Sequence, residues 1–306
     1  MKVWIAKAVI QKSISFLPYK HRINYLFQKY VTKGVLLNDA LMDDKLTHCG
    51  NHLNYYFKYG HKPENFTSLE IGTGWYPIVP IGFFLAGADT IYTIDISSLL
   101  KTTAIHQTIQ KFLDYYASGK LQTYLPVIKE DRLEVLKAAL QMHGDPQLLL
   151  EKMHIKTTVG DARKMPFTDG SIDLINSNNT FEHIPEDILA NILIEFKRVL
   201  KPDGVMSHQI DMSDHFAHLD KSITIYNFLH YTDAQWNRID NSIQPQNRLR
   251  IADFRKLHQQ AGFKVLEEIN RPGSITDLKR VKLADKYTSY SDADVAVSHT
   301  LMVSNK

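Results

Sequence analysis

The feature that most constrains this chain is its alternation between short apolar runs and longer amphipathic ones. Ser68-Leu-Glu-Ile-Gly72 is a short run typical of a strand, residues 77–87 have a helical pattern, and Thr90-Ile-Tyr-Thr-Ile-Asp95 is strand-like again. A strand, a helix and a strand within about thirty residues form a βαβ unit, in which the two strands lie parallel in one sheet. The chain is therefore predicted to fold around a parallel sheet.

The same alternation continues towards the end of the chain. Further strands are predicted at residues 155–159, 171–175, 204–210, 263–269 and 295–303, with helices at 186–200 and 250–261. In the first of these helices apolar residues recur at intervals of three and four, which gives one apolar face. Lys201-Pro-Asp-Gly204 is predicted to turn the chain out of that helix. The pattern predicts an α/β fold with a seven-stranded, mostly parallel sheet between flanking helices.

Three segments lie outside this alternation. Residues 1–62 have helical patterns and are predicted to form an N-terminal cap on a main domain of residues 63–306. Residues 99–153 are polar and helical, whereas residues 211–247 are polar, aromatic and rich in histidine. Both of these later segments are predicted to be insertions into the main domain.

The charge of the chain is concentrated at its start. The formal net charge is only +3, yet residues 1–38 contain seven lysine and arginine residues and no aspartate or glutamate. This pattern predicts one or two basic amphipathic helices, which either form a lid packed on the main domain or attach residues 1–35 to an anionic membrane surface. No basic stripe extends the charge into the rest of the chain, so nucleic acid is not an expected partner.

The composition is that of a globular protein from a reducing compartment. Hydrophobic residues make up 44% of the chain, which allows a large core. The single cysteine, Cys49, excludes an intrachain disulfide. No apolar run reaches the length of about 20 residues that a membrane-spanning helix needs. We therefore expect a cytoplasmic protein, with attachment to the inner membrane face as the open alternative.

The loop after the first strand has the composition of a nucleotide-binding loop. Gly72 and Gly74 let the backbone approach a ligand where a Cβ atom would collide with it. Asp95 ends the second strand, 21 residues past Gly74, where a carboxylate can accept hydrogen bonds from ribose hydroxyls. These features suit two cofactor classes, the dinucleotides and S-adenosylmethionine.

Three residues favour S-adenosylmethionine. The dinucleotide fingerprint needs glycine where this chain has Pro77, which has no N–H to offer a pyrophosphate. The carboxylate of Glu70 suits the ammonium and sulfonium charges of S-adenosylmethionine better than it suits a pyrophosphate. Asp161 follows the third strand, where a carboxylate can accept a hydrogen bond from the exocyclic amine of an adenine.

Taken together, these motifs resemble the class I S-adenosylmethionine-dependent methyltransferases. The resemblance covers about residues 66–210 and, more weakly, 250–304, and it includes Lys197-Arg-Val-Leu-Lys-Pro-Asp-Gly204 and Phe181-Glu-His183. It implies a Rossmann-like fold and S-adenosyl-L-methionine as cofactor. The residues that it implies for cofactor binding are Glu70, Gly72, Thr73, Gly74, Asp95, Ile96, Asp161, Ala162, Asn178 and Asn179. The chain departs from the family at Tyr76, where a third glycine is common, and this leaves open how the loop enters its helix.

The candidate acceptor site lies at the end of the fifth strand, in His208-Gln-Ile-Asp-Met-Ser-Asp-His-Phe-Ala-His218. We expect His208, Asp211 and His215 to contact the acceptor, and we add His183 because it lies close to the reacting centre. A histidine can remove the proton that a hydroxyl acceptor must lose, whereas a thioether or a neutral amine needs no base. The spacings match no established pattern of metal ligands, so no residue is assigned to a metal, and a divalent metal that binds a vicinal diol of the acceptor is the alternative to a base.

The acceptor itself stays open. The glycine loop, the histidine-rich segment and the basic start together look like bacterial methyltransferases of surface-polysaccharide and secondary-metabolite biosynthesis, which implies O-methylation of a glycan or glycolipid. A small metabolite with an amine, carboxylate or thioether acceptor fits the same residues. Two alternatives of another class are an NAD-dependent oxidoreductase and a cofactor-binding partner protein without catalytic activity.

Overall fold

A computed structural model describes residues 3–18, 20, 23 and 36–306. A seven-stranded sheet forms its centre, in the order β3-β2-β1-β4-β5-β7-β6. The strands are β1 (Phe66–Ile71), β2 (Ala88–Asp95), β3 (Ile155–Val159), β4 (Ile172–Asn178), β5 (Leu200–Asp211), β6 (Lys264–Arg271) and β7 (His299–Asn305). Strands β1 to β5 pair in parallel, and β7 runs antiparallel to both β5 and β6. The predicted α/β fold with a mostly parallel seven-stranded sheet is confirmed.

Helices cover both faces of this sheet. In the described part of the chain they are α1 (Val3–Ser15), α2 (Asp39–Lys58), α3 (Ile78–Ala86), α4 (Thr102–Ala117), α5 (Glu130–Leu140), α6 (Pro146–Glu151), α7 (Glu186–Val199), α8 (Asp233–Ile239), α9 (Ile251–Gln260), α10 (Ile275–Leu278) and α11 (Asp292–Ala296). The segment predicted as a polar helical insertion, residues 99–153, contains α4, α5 and α6. The division of the chain at residue 62 stays a prediction.

The central strands β1, β4 and β5 are buried on both faces, as expected of parallel strands between helices. Adjacent strand residues point to opposite sides, so that Leu174 joins the core under α2 and α3, whereas Ile175 joins the core under α7 and α9. Every residue of α3 is buried. Its Gly82 packs against Cys49 of α2 so closely that a Cβ atom would overlap the sulfur.

The starts of β5 and β7 each differ from the prediction by four residues. Residues 201–204 do not leave the sheet but form an irregularity within β5, since Ile172 pairs with Leu200 and Leu174 pairs with Val205. The last strand begins at His299 rather than at 295, because Ser291 caps α11 by accepting a hydrogen bond from the Asp294 N–H and holds residues 292–296 in a helix.

Helix α1 packs on the second predicted insertion. The backbone N–H of Trp4 donates to Asp220, and the Trp4 ring lies 5.8 Å from the ring of Phe216. The basic side chains of α1 turn inward, since Lys7 lies over Phe216 and Lys12 donates to two backbone carbonyls of the insertion. The packing fits the lid interpretation of this helix; the second predicted basic helix lies largely outside the described residues.

The outer face of α1 and the turn after it expose apolar side chains. Val9 is 55% exposed and Phe16 is 78% exposed. Among the described residues no helix is both long and apolar enough to span a membrane.

Candidate functional site

A cleft with a volume of about 740 Å³ opens at the carboxyl ends of β1, β2, β3 and β4. The order of the strands reverses between β1 and β4, and ligands of open α/β sheets bind at such a switch point. All ten residues expected to bind a cofactor line this cleft: Glu70, Gly72, Thr73, Gly74, Asp95, Ile96, Asp161, Ala162, Asn178 and Asn179. The sequence therefore identified residues that the fold brings together.

The two glycines of the loop after β1 have different roles. Gly72 has a φ of +74°, and a Cβ atom on it would overlap the side chain of Thr180 in the loop after β4. Gly74 has a φ of +72° and leaves open space where its Cβ atom would be. Thus Gly72 lets two loops of the protein meet, whereas Gly74 leaves room at the cleft.

Glu70 places a buried carboxylate at the end of β1. One of its oxygens, Oε1, accepts a hydrogen bond of 3.0 Å from the side-chain amide of Asn178, while Oε2 has no hydrogen-bond partner. Burial raises the pKa of Glu70 to about 7. An unpartnered carboxylate oxygen that lines a cleft is suited to bind a cationic ligand group.

A chain of hydrogen bonds holds Asn178 in this orientation. Because the amide nitrogen of Asn178 donates to Glu70, its Oδ1 accepts from Nε2 of His52, at 3.0 Å. The Nδ1 atom of His52 then accepts from the hydroxyl of Ser207, at 2.7 Å. Burial lowers the pKa of His52 to about 3, so the ring is neutral and keeps this tautomer.

Asp95 joins the loops after β1 and β2. Its carboxylate accepts from the backbone N–H groups of Gly74 and Ser97, at 3.3 and 3.0 Å. Burial raises the pKa of Asp95 above its usual value. The next residue, Ile96, is 86% exposed although it is apolar. This edge of the cleft thus offers an acceptor group beside an uncovered apolar surface.

Asp161 and Ala162 form the edge of the cleft after β3. The guanidinium of Arg163 donates to both carboxylate oxygens of Asp161 and holds the pKa of Asp161 below its usual value. This ion pair was not expected from the sequence. The carboxylate stays about half exposed, with lone pairs left for a further donor.

Asn179 has a left-handed backbone, with a φ of 54°. This conformation is uncommon for residues other than glycine, but asparagine tolerates it better than most. Its backbone N–H donates to Gln209 on β5, and its buried side-chain oxygen has no hydrogen-bond partner. Asn179 thus lines the cleft with a buried, unsatisfied hydrogen-bond acceptor in its side chain.

The remaining walls come from helices and loops outside the sheet. Trp75 and Tyr76 line the cleft, and Tyr76 also packs against the core that contains residues of α2. Lys45 of α2 lines it too, and its charge acts on both Glu70 and Glu182. Residues 242–245 close the opposite side, which places the end of the second predicted insertion at the site.

His183 is the expected acceptor-site residue that lines the cleft. Its Nδ1 atom donates to the backbone carbonyl of Pro245, at 2.6 Å, so Nε2 carries the lone pair. Burial, with a smaller effect of neighbouring His215, lowers the pKa of His183 to about 4. The neutral imidazole is therefore able to accept a proton or to bind a metal ion.

Asp211 and His215 lie behind His183 and outside the lining of the cleft. The Nε2 atom of His215 lies 3.3 Å from a carboxylate oxygen of Asp211, and the rings of His183 and His215 are 5.1 Å apart. Nε2 of His299 approaches the other Asp211 oxygen at 3.4 Å. Burial opposes ionisation of Asp211, but the hydrogen bond and charge of His215 and the charge of His299 hold its pKa below the usual value.

The structure corrects the role expected for His208. Its ring is fully buried between Phe181 and Phe196, at centroid distances of 4.2 and 5.8 Å. Its Nδ1 atom is bonded to the hydroxyl of Ser177, and burial lowers its pKa far below the usual value. His208 therefore packs in the core under α7 and does not contact the cleft.

Three residues of the site were not predicted. Lys45 lies more than twenty positions before the glycine loop, and nothing in its helical pattern marks it as facing a ligand. His299 reaches Asp211 from β7. Glu182 had been noted only as part of a motif, although its buried side chain lies beside His183. Contacts between residues this far apart in the chain follow from the folded sheet and not from local spacing.

Comparison with known proteins yields a partial family match. The family model described as a methyltransferase domain matches residues 118–207. This range is less than a third of the chain; it contains β3, β4 and most of β5 but not the glycine loop. No match to a curated protein was found.

Solved methyltransferase structures resemble the chain only distantly. A S-adenosylmethionine-dependent methyltransferase from Clostridium acetobutylicum is 9% identical, with 94% of this chain and 99% of that chain covered and a TM-score of 0.47. Geranyl diphosphate C-methyltransferase from Streptomyces coelicolor is 9% identical over 83% of this chain and 78% of that chain, with a TM-score of 0.48. Phosphoethanolamine N-methyltransferase 2 from Haemonchus contortus is 14% identical over 84% of this chain and 52% of that chain, with a TM-score of 0.45. Likeness at this level carries no conclusion about activity.

Proposed function

We propose that the chain is a S-adenosyl-L-methionine-dependent methyltransferase that acts on a hydroxyl of a small molecule, glycan or glycolipid. The observation that carries the proposal is the unpartnered, buried carboxylate oxygen of Glu70 in a cleft at the switch point of the sheet. That oxygen suits the ammonium group of the cofactor's methionine portion. The partial match to the methyltransferase domain model supports the same class.

The residues of the cleft fit the parts of this cofactor. Asp95 would accept from the ribose hydroxyls, and the exposed Ile96 and neighbouring Ala162 would cover the adenine. Asp161 would accept from the exocyclic amine. The ammonium of Lys45 would balance the carboxylate of the methionine portion, close to Glu70.

When bound, the cofactor supplies a methyl group that passes to the acceptor oxygen while the carbon–sulfur bond breaks and its electron pair stays on sulfur. The chain aligns the two reactants, and alignment accounts for much of such a rate enhancement. His183 would bind the acceptor hydroxyl, and the polar group behind it, formed by Glu182, Asp211 and His215, would provide for loss of the hydroxyl proton. In the described part of the chain, no lysine or arginine forms an ion pair with the carboxylates of Glu182 and Asp211.

The proposal is tested by calorimetric titration of the full chain with S-adenosylhomocysteine and, separately, with NAD. Binding of S-adenosylhomocysteine alone is expected. Tight binding of NAD without binding of S-adenosylhomocysteine would favour an oxidoreductase, which Pro77 before α3 argues against. Cofactor binding without turnover of any hydroxyl acceptor would favour another acceptor atom or a partner protein without catalysis.

A further inference from the structure

The inner end of the cleft contains a buried acid, Glu182, that forms no ion pair with any residue in the described part of the chain. Glu182 is only 3% exposed, and neither of its carboxylate oxygens has a side-chain hydrogen-bond partner. The charge of Lys45 and the nearby backbone N–H groups of Glu182 and Asp211 offset the effect of burial on its pKa only in part. A second buried carboxylate, that of Asp211, lies close enough to oppose ionisation of Glu182. A buried carboxylate without a partner is strongly unfavourable, so a cation or a proton must accompany it.

Two histidines complete a cluster around this acid. Glu182, His183 and His215 each offer one ligand atom, and these atoms all lie within 4.8 Å of one another. Ligand atoms around a tetrahedral ion with bonds of about 2.0–2.2 Å are roughly 3.5 Å apart. On binding an ion, the ligand atoms of the three side chains would therefore move closer to one another by about an ångström.

The surroundings of the two histidines are those of metal ligands. His183 donates from Nδ1 to the carbonyl of Pro245, which leaves Nε2 free to bind. His215 is held beside the carboxylate of Asp211, with 3.3 Å between Nε2 and Oδ2. Metal-bound histidines usually donate their second N–H to a carbonyl or a carboxylate in this way, which fixes the tautomer and the ring.

We propose that Glu182, His183 and His215 bind one divalent transition-metal ion of the zinc class. Two imidazole nitrogens and one carboxylate oxygen suit Zn²⁺ or Co²⁺ and not Mg²⁺ or Ca²⁺, which prefer ligand sets made of oxygen. Three protein ligands leave a coordination position open, as in zinc sites that bind a substrate. The sequence assigned no residue to a metal, because Glu182 and His183 follow β4 whereas His215 follows β5, and no local spacing links them.

The location of the ion connects it to the cleft. His183 lines the cleft while Glu182 is buried, so the open position would face the place where an acceptor binds. There the ion would hold a hydroxyl oxygen and lower its pKa, with the proton released to water through the cleft. This role rests on the proposed function, whereas binding of the ion does not.

The test is a titration of chelator-stripped full-length protein with Zn²⁺, against a chromophoric competing chelator, and with Co²⁺ followed by its visible absorption. Wild type is expected to bind about one ion per chain, and Glu182→Gln and His215→Ala are each expected to weaken binding by roughly tenfold or more. His143→Ala removes an exposed histidine in a different part of the chain and should bind as wild type does. Thermal melts establish whether the variants fold. If His215→Ala does not fold, the test uses Glu182→Gln, which keeps the size of the side chain.

Absence of stoichiometric binding by wild type, or unchanged binding by folded Glu182→Gln, would overturn the metal site. Titration of the stripped protein with S-adenosylhomocysteine separates this result from the proposed function. Binding of the cofactor product without binding of metal would refute the metal site alone. Binding of metal without binding of the cofactor product would refute the proposed function and leave the metal site in place.

Discussion

The side-chain amide of Asn178 donates a 3.0 Å hydrogen bond to Glu70 and thereby joins the end of β4 to the end of β1. The two strands flank the point where the order of the sheet reverses. This bond holds one carboxylate oxygen of Glu70 in place and leaves the other available to a ligand.

Replacing Asn178 by alanine should weaken binding of S-adenosylhomocysteine by roughly 10- to 150-fold, because loss of one hydrogen bond to a charged group is worth about 1.5–3 kcal/mol. Calorimetric titration measures the change. Asn191→Ala is the matched control, since Asn191 lies on the exposed side of α7 and donates only to a backbone carbonyl. Equal affinities of Asn178→Ala and Asn191→Ala would show that the bond does not prepare Glu70 for the ligand.

Glu70 predicts a pH dependence of cofactor binding. Burial raises its pKa to about 7 in the free protein, and a cationic ligand group favours the ionised form. The affinity for S-adenosylhomocysteine should therefore increase about tenfold from pH 6 to pH 8 and level off above that, as the ionised fraction of a group of this pKa does. Glu70→Gln should bind weakly with no such dependence. A flat profile of the wild type would exclude Glu70 as the partner of the ammonium group.

The two loop glycines should respond differently to substitution. Gly72→Ala combines a positive φ with overlap on Thr180 and is expected to lower the free energy of unfolding by roughly 2–4 kcal/mol. Gly74→Ala meets open space and should lower it by about 1–2 kcal/mol, the contribution of the backbone alone. Urea denaturation gives both values. If the two variants were equally stable, the contact of Gly72 with Thr180 would not explain that glycine.

The membrane contact considered for the start of the chain gives a further prediction. The lysines of α1 face the protein, so apolar side chains on its outer face would provide the attachment. The double substitution Val9→Ser and Phe16→Ser should reduce sedimentation with anionic vesicles to the level without vesicles. Leu148→Ser with Ile194→Ser is the matched control, because both residues are exposed apolar side chains elsewhere, at 58% and 61%. Unchanged sedimentation of the α1 variant would leave that helix as a lid.

The sequence predicted the sheet and a set of residues that line the cleft because both depend on local order. A strand that ends in a glycine loop or an acid places that residue at the carboxyl edge of a parallel sheet, wherever the helices lie. Glu70, Asp95 and Asp161 therefore came together as expected.

The residues expected to contact the acceptor were harder to place from the sequence, because β5 is buried on both faces. Adjacent residues of this strand point in opposite directions: Ser207 reaches His52 of α2, whereas His208 packs under α7. In a strand with one polar face the alternation would have shown which side His208 occupies, but here both sides are core. Lys45 and Glu182 join the site through contacts between segments that are distant in the chain. The spacing of residues in the sequence does not predict such contacts.

A crystal structure of the full chain with S-adenosylhomocysteine tests the central claim most directly. The ligand is expected in the cleft, with its ammonium group on the free oxygen of Glu70, its ribose on Asp95 and its adenine beside Ile96 and Asp161. A ligand bound elsewhere, or bound in the cleft with its ammonium group away from Glu70, would contradict the claim.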